Sequence, residues 1–202
     1  MKKVEKLALG TVQFGLFYGI ANNIGKISSI AATDILTKAK QFSIHTIDTA
    51  INYGESESVL GDYGVDDFKV ITKLPKFEGK RSHLKKWFKD QIESSLIRLK
   101  IKRVDGLLLH KSTQLLEKYG MELYELLQEA KSENKVNRIG ISIYSIDELP
   151  HLLDKYKLDL IQFPGNIFDR RMEESGWLKI LSEAKIDVHL RSVFLQGLLL
   201  IP

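Results

Sequence analysis

Asp48-Thr49-Ala50-Ile51-Asn52-Tyr53-Gly54-Glu55-Ser56-Glu57-Ser58-Val59-Leu60-Gly61 is the stretch whose reading decides the fold. The short run Ile44 to Ile47 ends in the carboxylate of Asp48. A phenol follows five positions on, beside a glycine that lets the backbone bend. An acid and a tyrosine are thereby placed at one strand mouth. The same arrangement recurs further along: Lys73 follows Val70-Ile71-Thr72, His110 follows Leu107-Leu108-Leu109, Ser142 follows Ile139-Gly140-Ile141, and Gln162 follows Leu160-Ile161.

Outward from that stretch, strand and helix patterns alternate. Towards the N-terminus, Lys6 to Gly15 reads as a strand with glycines at its far end, and Ser28 or Ser29 can cap a helix reaching about Gln41 before the strand Ile44 to Asp48. Towards the C-terminus come a short helix over 55–62, a strand over 68–73, a helix over 82–100, a strand over 104–110, a helix over 117–134 and a strand over 136–142. Ser145-Ile146-Asp147-Glu148 matches a capping box. Asp147 is the preferred cap, because Pro150 then falls in the first turn, where its missing donor matters little. A strand over 158–162, a helix over 173–185 and a strand over 186–191 complete the pattern, before Gln196-Gly197 and the apolar Leu198 to Ile201.

Successive strand ends at 48, 73, 110, 142, 162 and 191 are separated by 20 to 37 residues, each interval long enough for one helix and two loops. Strands separated by helices imply right-handed crossovers and a parallel sheet. A closed barrel and an open doubly wound sheet both fit the alternation. The doubly wound sheet gathers ligand groups at a switch point, whereas a barrel brings nearly every strand end to one mouth. Polar groups end almost every strand here, which favours the barrel. No linker or composition shift divides the chain, so residues 1–202 are read as a single domain.

Composition sets bounds on function. With 44% hydrophobic and 28% charged residues, the chain has enough apolar material for a sizeable core. The absence of cysteine excludes disulfides, thiolate zinc sites and cysteine nucleophiles. Met1 to Lys6 reaches Gly10 too soon to build a leader's apolar region, and no run approaches membrane-spanning length, so a cytoplasmic protein without a membrane partner is expected. The net charge is +4, and the densest basic stretch is Lys76, Lys80, Arg81, Lys85, Lys86 and Lys89. Leu84, Trp87, Phe88, Ile92, Leu96 and Leu99 recur there at helical spacing and claim the inward side. The charges therefore form a solvated face, and no nucleic-acid partner is expected. A basic surface suits a phosphorylated small ligand.

Asp48-Thr49-Ala50 with Tyr53-Gly54, Ser56-Glu57 and Gly61, then Thr72-Lys73, Leu109-His110, Gly140-Ile141-Ser142 and Gln162, resembles the aldo-keto reductase superfamily over about residues 6 to 202. The resemblance implies a (β/α)8 TIM barrel that reduces aldehydes or ketones with a nicotinamide coenzyme, NADP(H) in preference to NAD(H). It places Asp48, Tyr53, Lys73 and His110 on the catalytic tetrad. Ser142 and Gln162 fall on positions that hydrogen-bond the nicotinamide carboxamide, and Arg191 and Ser192 stand where the last strand meets the coenzyme. Asn166 is a further candidate for the mouth.

The chemistry asks for these residue types on its own terms. Hydride transfer to a carbonyl carbon builds negative charge on the oxygen, which a proton donor within hydrogen-bond reach must neutralise. A free tyrosine titrates near pH 10; a nearby lysine cation lowers that value, and a carboxylate keeps the lysine charged. Tyr53 is thus the expected acid, Lys73 its tuner in contact with it, Asp48 the partner of Lys73, and His110 a polariser of the carbonyl. No metal is required. Singly, each residue has an ordinary explanation: a turn cap, a surface phenol, a strand-end lysine, a loop histidine. The four together at four strand ends do not.

Three departures from the family pattern stand out. Ile143 replaces the usual asparagine after the serine. Arg191-Ser192-Val193-Phe194 stands where an aromatic residue commonly stacks on the nicotinamide. The sequence also stops after about seven strands, short of the family's eighth strand and last helices. The expected barrel is therefore incomplete, with two open edges through which the chain could self-associate. Two functions follow: an NAD(P)H-dependent reductase of a small carbonyl substrate, or a non-catalytic binding module that keeps the barrel mouth. A metal-dependent barrel hydrolase is a distant third, since no His-x-His pair follows the first strand.

Overall fold

The computed structural model describes residues 6–201; Met1 to Glu5, most of the stretch read against a leader, and Pro202 lie outside them. In chain order the elements are β1 (Ala8–Gly10), the helical turn α1 (Val12–Gly15), α2 (Ser29–Gln41), β2 (Thr46–Asp48), α3 (Ser56–Tyr63), β3 (Lys69–Leu74), α4 (Leu84–Leu99) and β4 (Val104–Leu109). They continue with α5 (Gly120–Ser132), β5 (Val136–Ser142), α6 (Glu148–Leu153), β6 (Leu160–Pro164), α7 (Arg171–Glu174), α8 (Trp177–Glu183) and β7 (Asp187–Arg191).

Local chemistry accounts for these segments. Ser28 is extended and its hydroxyl accepts the Ala31 N–H, which starts α2, while Lys38 and Lys40 lie in the last turn, where the helix dipole favours cations. Leu84, Phe88, Ile92, Ser95 and Leu99 form the buried stripe of α4. Asp147 stands at the cap position of α6 with no side-chain bond to the helix. The Glu148 carboxylate instead reaches back to the N–H groups of Tyr144 and Ser145, so one half of the capping box forms.

All strands are parallel, in the order β1-β2-β3-β4-β5-β6-β7. Val70 to Leu74 and Gly106 to Leu109 are buried without alternation, as strands covered on both faces must be. Ile71, Leu108 and Leu160 form a cluster of their own, separate from the larger core beneath the helices. Three strands contribute to this inner cluster, which requires the sheet to curl into the wall of an incomplete (β/α)8 barrel. Among the described residues β1 pairs only with β2 and β7 only with β6.

Three of the departures from the sequence reading have a clear local cause. The strand expected from Lys6 to Gly15 holds only over Ala8–Gly10, because β2 offers partners no further than Asp48. Thr11 then bonds the Asp48 carbonyl through both its N–H and its hydroxyl, and the chain turns into α1. The helix expected over 117–134 begins at Gly120, behind a 3₁₀ turn over Ser112–Leu116. The helix over 173–185 is two helices, divided at Gly176, whose φ of +79° lies in the left-handed region. Leu198, Leu200 and Ile201 remain exposed. No helix among the described residues is long and apolar enough to cross a membrane.

Candidate active site

The strand ends converge on one another at the C-terminal rim of the sheet. Asp48 closes β2, Lys73 stands one residue before the end of β3, His110 follows β4, Ser142 closes β5, Gln162 lies in β6, and Arg191 closes β7. Lys73 is 1% exposed, and its ammonium uses all three donors: Asp48 Oδ1 at 2.8 Å, Asp48 Oδ2 at 2.7 Å and the Thr49 carbonyl at 2.8 Å. Gln162 donates Nε2 to Asp48 Oδ1 at 2.6 Å, which leaves its Oε1 buried with no partner. Ser142 is paired in register with Gln162.

Tyr53 stands on the loop between β2 and α3, and backbone contact fixes that loop. Gly54 has φ +56°, and a Cβ at Gly15 would meet the Tyr53 carbonyl oxygen at 1.7 Å, so only glycine at 15 lets α1 close against the phenol's own backbone. The Tyr53 ring meets His110 edge to face, with centroids 5.9 Å apart, and lies 5.3 Å from Lys73 Nζ.

Lys73 lies over Tyr53 as expected, but the direction of the Tyr53 shift is the reverse of the expected one. Lys73 faces the Tyr53 ring and donates nothing to its hydroxyl, because its three protons are already committed. Burial, followed by the Asp48 carboxylate, pushes the Tyr53 hydroxyl well above the usual tyrosine range rather than below it. Burial also lowers Lys73 below its ordinary value against the opposing pull of Asp48. Burial and then the Lys73 charge lower His110 to about 4, so its imidazole is neutral at pH 7.

At the far side of the mouth, the Arg191 guanidinium lies 4.2 Å from the Tyr144 ring centroid, and its Nη2 donates to the Ile143 carbonyl at 3.2 Å. Its Nε is buried without a partner. Ser192 has a φ of +59°, and its carbonyl accepts a long 3.4 Å bond from Asn166 Nδ2. The Asn166 side-chain oxygen is held by the N–H groups of Phe168 and Asp169, so this residue orders its own loop. Tyr144 went unremarked in the sequence, since nothing there shows a ring beneath Arg191. Glu57, whose role the motif alone does not reveal, is 1% exposed and binds Thr72, Ser95 and Arg98.

The model of the Aldo/keto reductase family matches residues 6–200. The chain belongs to the aldo/keto reductase family. Among relatives of this chain, an uncharacterized oxidoreductase, YqkF, of Bacillus subtilis is 30% identical over 83% of the chain and 57% of its own length. The NADH-specific methylglyoxal reductase of Escherichia coli is 28% identical over 97% of the chain and 65% of its own length. The aldo-keto reductase AKR11C1 from Bacillus halodurans, in its holo form, superposes with a TM-score of 0.77 at 25% identity, covering 96% of this chain and 64% of that one. An aldo/keto reductase from Klebsiella pneumoniae in complex with NADP and acetate gives a TM-score of 0.75 at 20% identity, covering 95% and 65%. The chain spans 57 to 65% of the length of the curated relatives named here.

Proposed function

We propose that this aldo/keto reductase reduces an aldehyde or ketone to an alcohol with NAD(P)H, with Tyr53 as the proton donor. The observation that carries the reading is the joined cluster of Lys73, Asp48 and Gln162 lying against the Tyr53–His110 ring pair at one sheet rim. A buried, fully bonded ammonium beside a phenol has a chemical use that an isolated surface lysine lacks.

The residues present fit a nicotinamide. Gln162 Oε1 is a buried acceptor without a donor, and the carboxamide N–H of the ring supplies one. Ser142, its neighbour in register, can join it, with Arg191 and Ser192 bordering the ring. Bound there, the reduced coenzyme supplies the hydride. The family habit and the NADP complex of the Klebsiella relative favour NADP(H), whereas the E. coli relative is NADH-specific by name.

Tyr53, kept protonated by burial, holds its proton ready for the carbonyl oxygen as negative charge grows there. Neutral His110 can donate an N–H to the same oxygen. As the Tyr53 proton leaves, the Lys73 charge beneath the ring stabilises the phenolate, and Asp48 keeps that lysine in place. The test follows oxidation of NADPH and of NADH by the 202-residue chain in the presence of small aldehydes and ketones, methylglyoxal among them. Carbonyl-dependent oxidation is expected. Tight coenzyme binding without any carbonyl-dependent turnover would replace the reductase by a binding module.

A further inference from the structure

We propose that Arg191 selects substrates carrying an anionic oxygen group, a carboxylate or a phosphate, near the reacting carbonyl. The proposal rests on the carbonyl-reducing reading of the mouth and names its substrate class.

The half-buried arginines elsewhere in the sheet and helices are paired with acids. Arg98 holds Glu57 through Nε and Nη2, and Arg138 bridges Asp105 and Asp187. Arg191 differs. Among the described residues no carboxylate lies within ion-pair distance of it, its Nε is buried without an acceptor, and its one hydrogen bond goes to a neutral carbonyl. The nearby acid Asp169 feels the Arg191 charge but is taken by Arg171, at 2.8 Å to each of its oxygens. The Tyr144 ring, 4.2 Å from the guanidinium carbon, and the Ile143 carbonyl together hold the group in place.

Charge counting at the rim points the same way. Lys73 and Arg191 are cationic, Asp48 is anionic, and His110 is neutral at pH 7, which leaves one positive charge in excess around Tyr53. An excess charge at a half-buried site is costly, and a bound anion removes the cost. A guanidinium presents paired donors that match a carboxylate or a phosphate, whereas a neutral carbonyl compound offers it nothing comparable.

The experiment compares kcat/KM for two pairs of substrates on the full chain: glyoxylate against methylglyoxal, and glyceraldehyde 3-phosphate against glyceraldehyde. The parent is expected to prefer the anionic member of at least one pair, and the pair that responds identifies carboxylate or phosphate as the source. In Arg191→Leu that preference should fall by about 10- to 100-fold, the usual worth of a hydrogen-bonded charge. Arg191→Lys, which keeps the charge but loses the fork, should fall between the two and serves if the leucine variant does not fold. Unchanged ratios in both pairs would overturn the proposal. So would an equal fall for both members together with weaker coenzyme binding, which would confine the role of Arg191 to the coenzyme ring it borders. If no carbonyl is reduced at all, the reductase reading fails, and calorimetric binding of oxamate then tests Arg191 separately. Oxamate binding that is lost in Arg191→Leu would support anion recognition, and binding that is equal in the two proteins, or absent from the parent, would refute it.

Discussion

Two carboxylates in the same short stretch, Asp48 and Glu57, are both drawn out of solvent, yet they end in opposite kinds of surroundings. Glu57 is saturated. Thr72 and Ser95 donate to one oxygen at 2.7 Å each, and Arg98 donates twice to the other, at 2.9 and 2.6 Å. That network ties α3 to β3 and α4 and leaves nothing for a ligand. Asp48 is also fully bonded, but the groups around it are not: Gln162 Oε1 and Arg191 Nε are buried without partners, and Tyr53 and His110 are held far from their ordinary titration ranges. Buried polar groups in a finished fold are satisfied. On the proposed function, the unsatisfied ones are where coenzyme and substrate would complete the structure.

The contrast can be broken most easily at Glu57. Glu57→Ala strands a guanidinium and two buried hydroxyls, and should cost about 3–5 kcal/mol in a denaturant melt, with carbonyl turnover by the folded fraction intact. Turnover lost without a stability change would put Glu57 in the mouth's machinery and erase the distinction. Asp48→Asn should cost less, about 1–3 kcal/mol, because Lys73, already lowered by burial, can release its proton instead of remaining an unpaired buried cation. Its main effect should fall on turnover, read as kcat at saturating coenzyme.

A smaller effect comes from His110. Its folded value of about 4 lies below the ordinary 6.5, so between those two pH values the unfolded chain binds a proton that the folded chain does not. Stability from this group is therefore intact above about pH 6.5 and declines as the pH falls towards 4. An NMR titration of His110 should give a midpoint near 4, and a midpoint at 6.5 would mean that the rim is wetter than the packing implies.

Much of this was legible in the sequence, because strand ends announce themselves: an apolar run stops at Asp48, Lys73, His110, Ser142 or Gln162, and a parallel sheet carries all such ends to one rim. The saturation of Glu57 was not legible, since Arg98 lies 41 residues away and only the packing of α3 on α4 brings it near. Nor was the direction of the Tyr53 shift. Sequence shows a lysine near a tyrosine, but not that the lysine's three donors are spent on Asp48 and Thr49, nor that desolvation then dominates. The break at Gly176 depends on one left-handed residue inside an otherwise helical pattern, where composition alone favours continuity.

The most direct test of the account is single-turnover oxidation of NADPH by a carbonyl substrate in the parent chain and in Tyr53→Phe. The ring packing against His110 and Lys73 survives that change, so fold and coenzyme affinity should hold while the rate falls by about two to four powers of ten. A Tyr53→Phe chain that reduces the carbonyl at the parent rate would contradict the assignment of the proton donor, and with it the chemical reading of the rim.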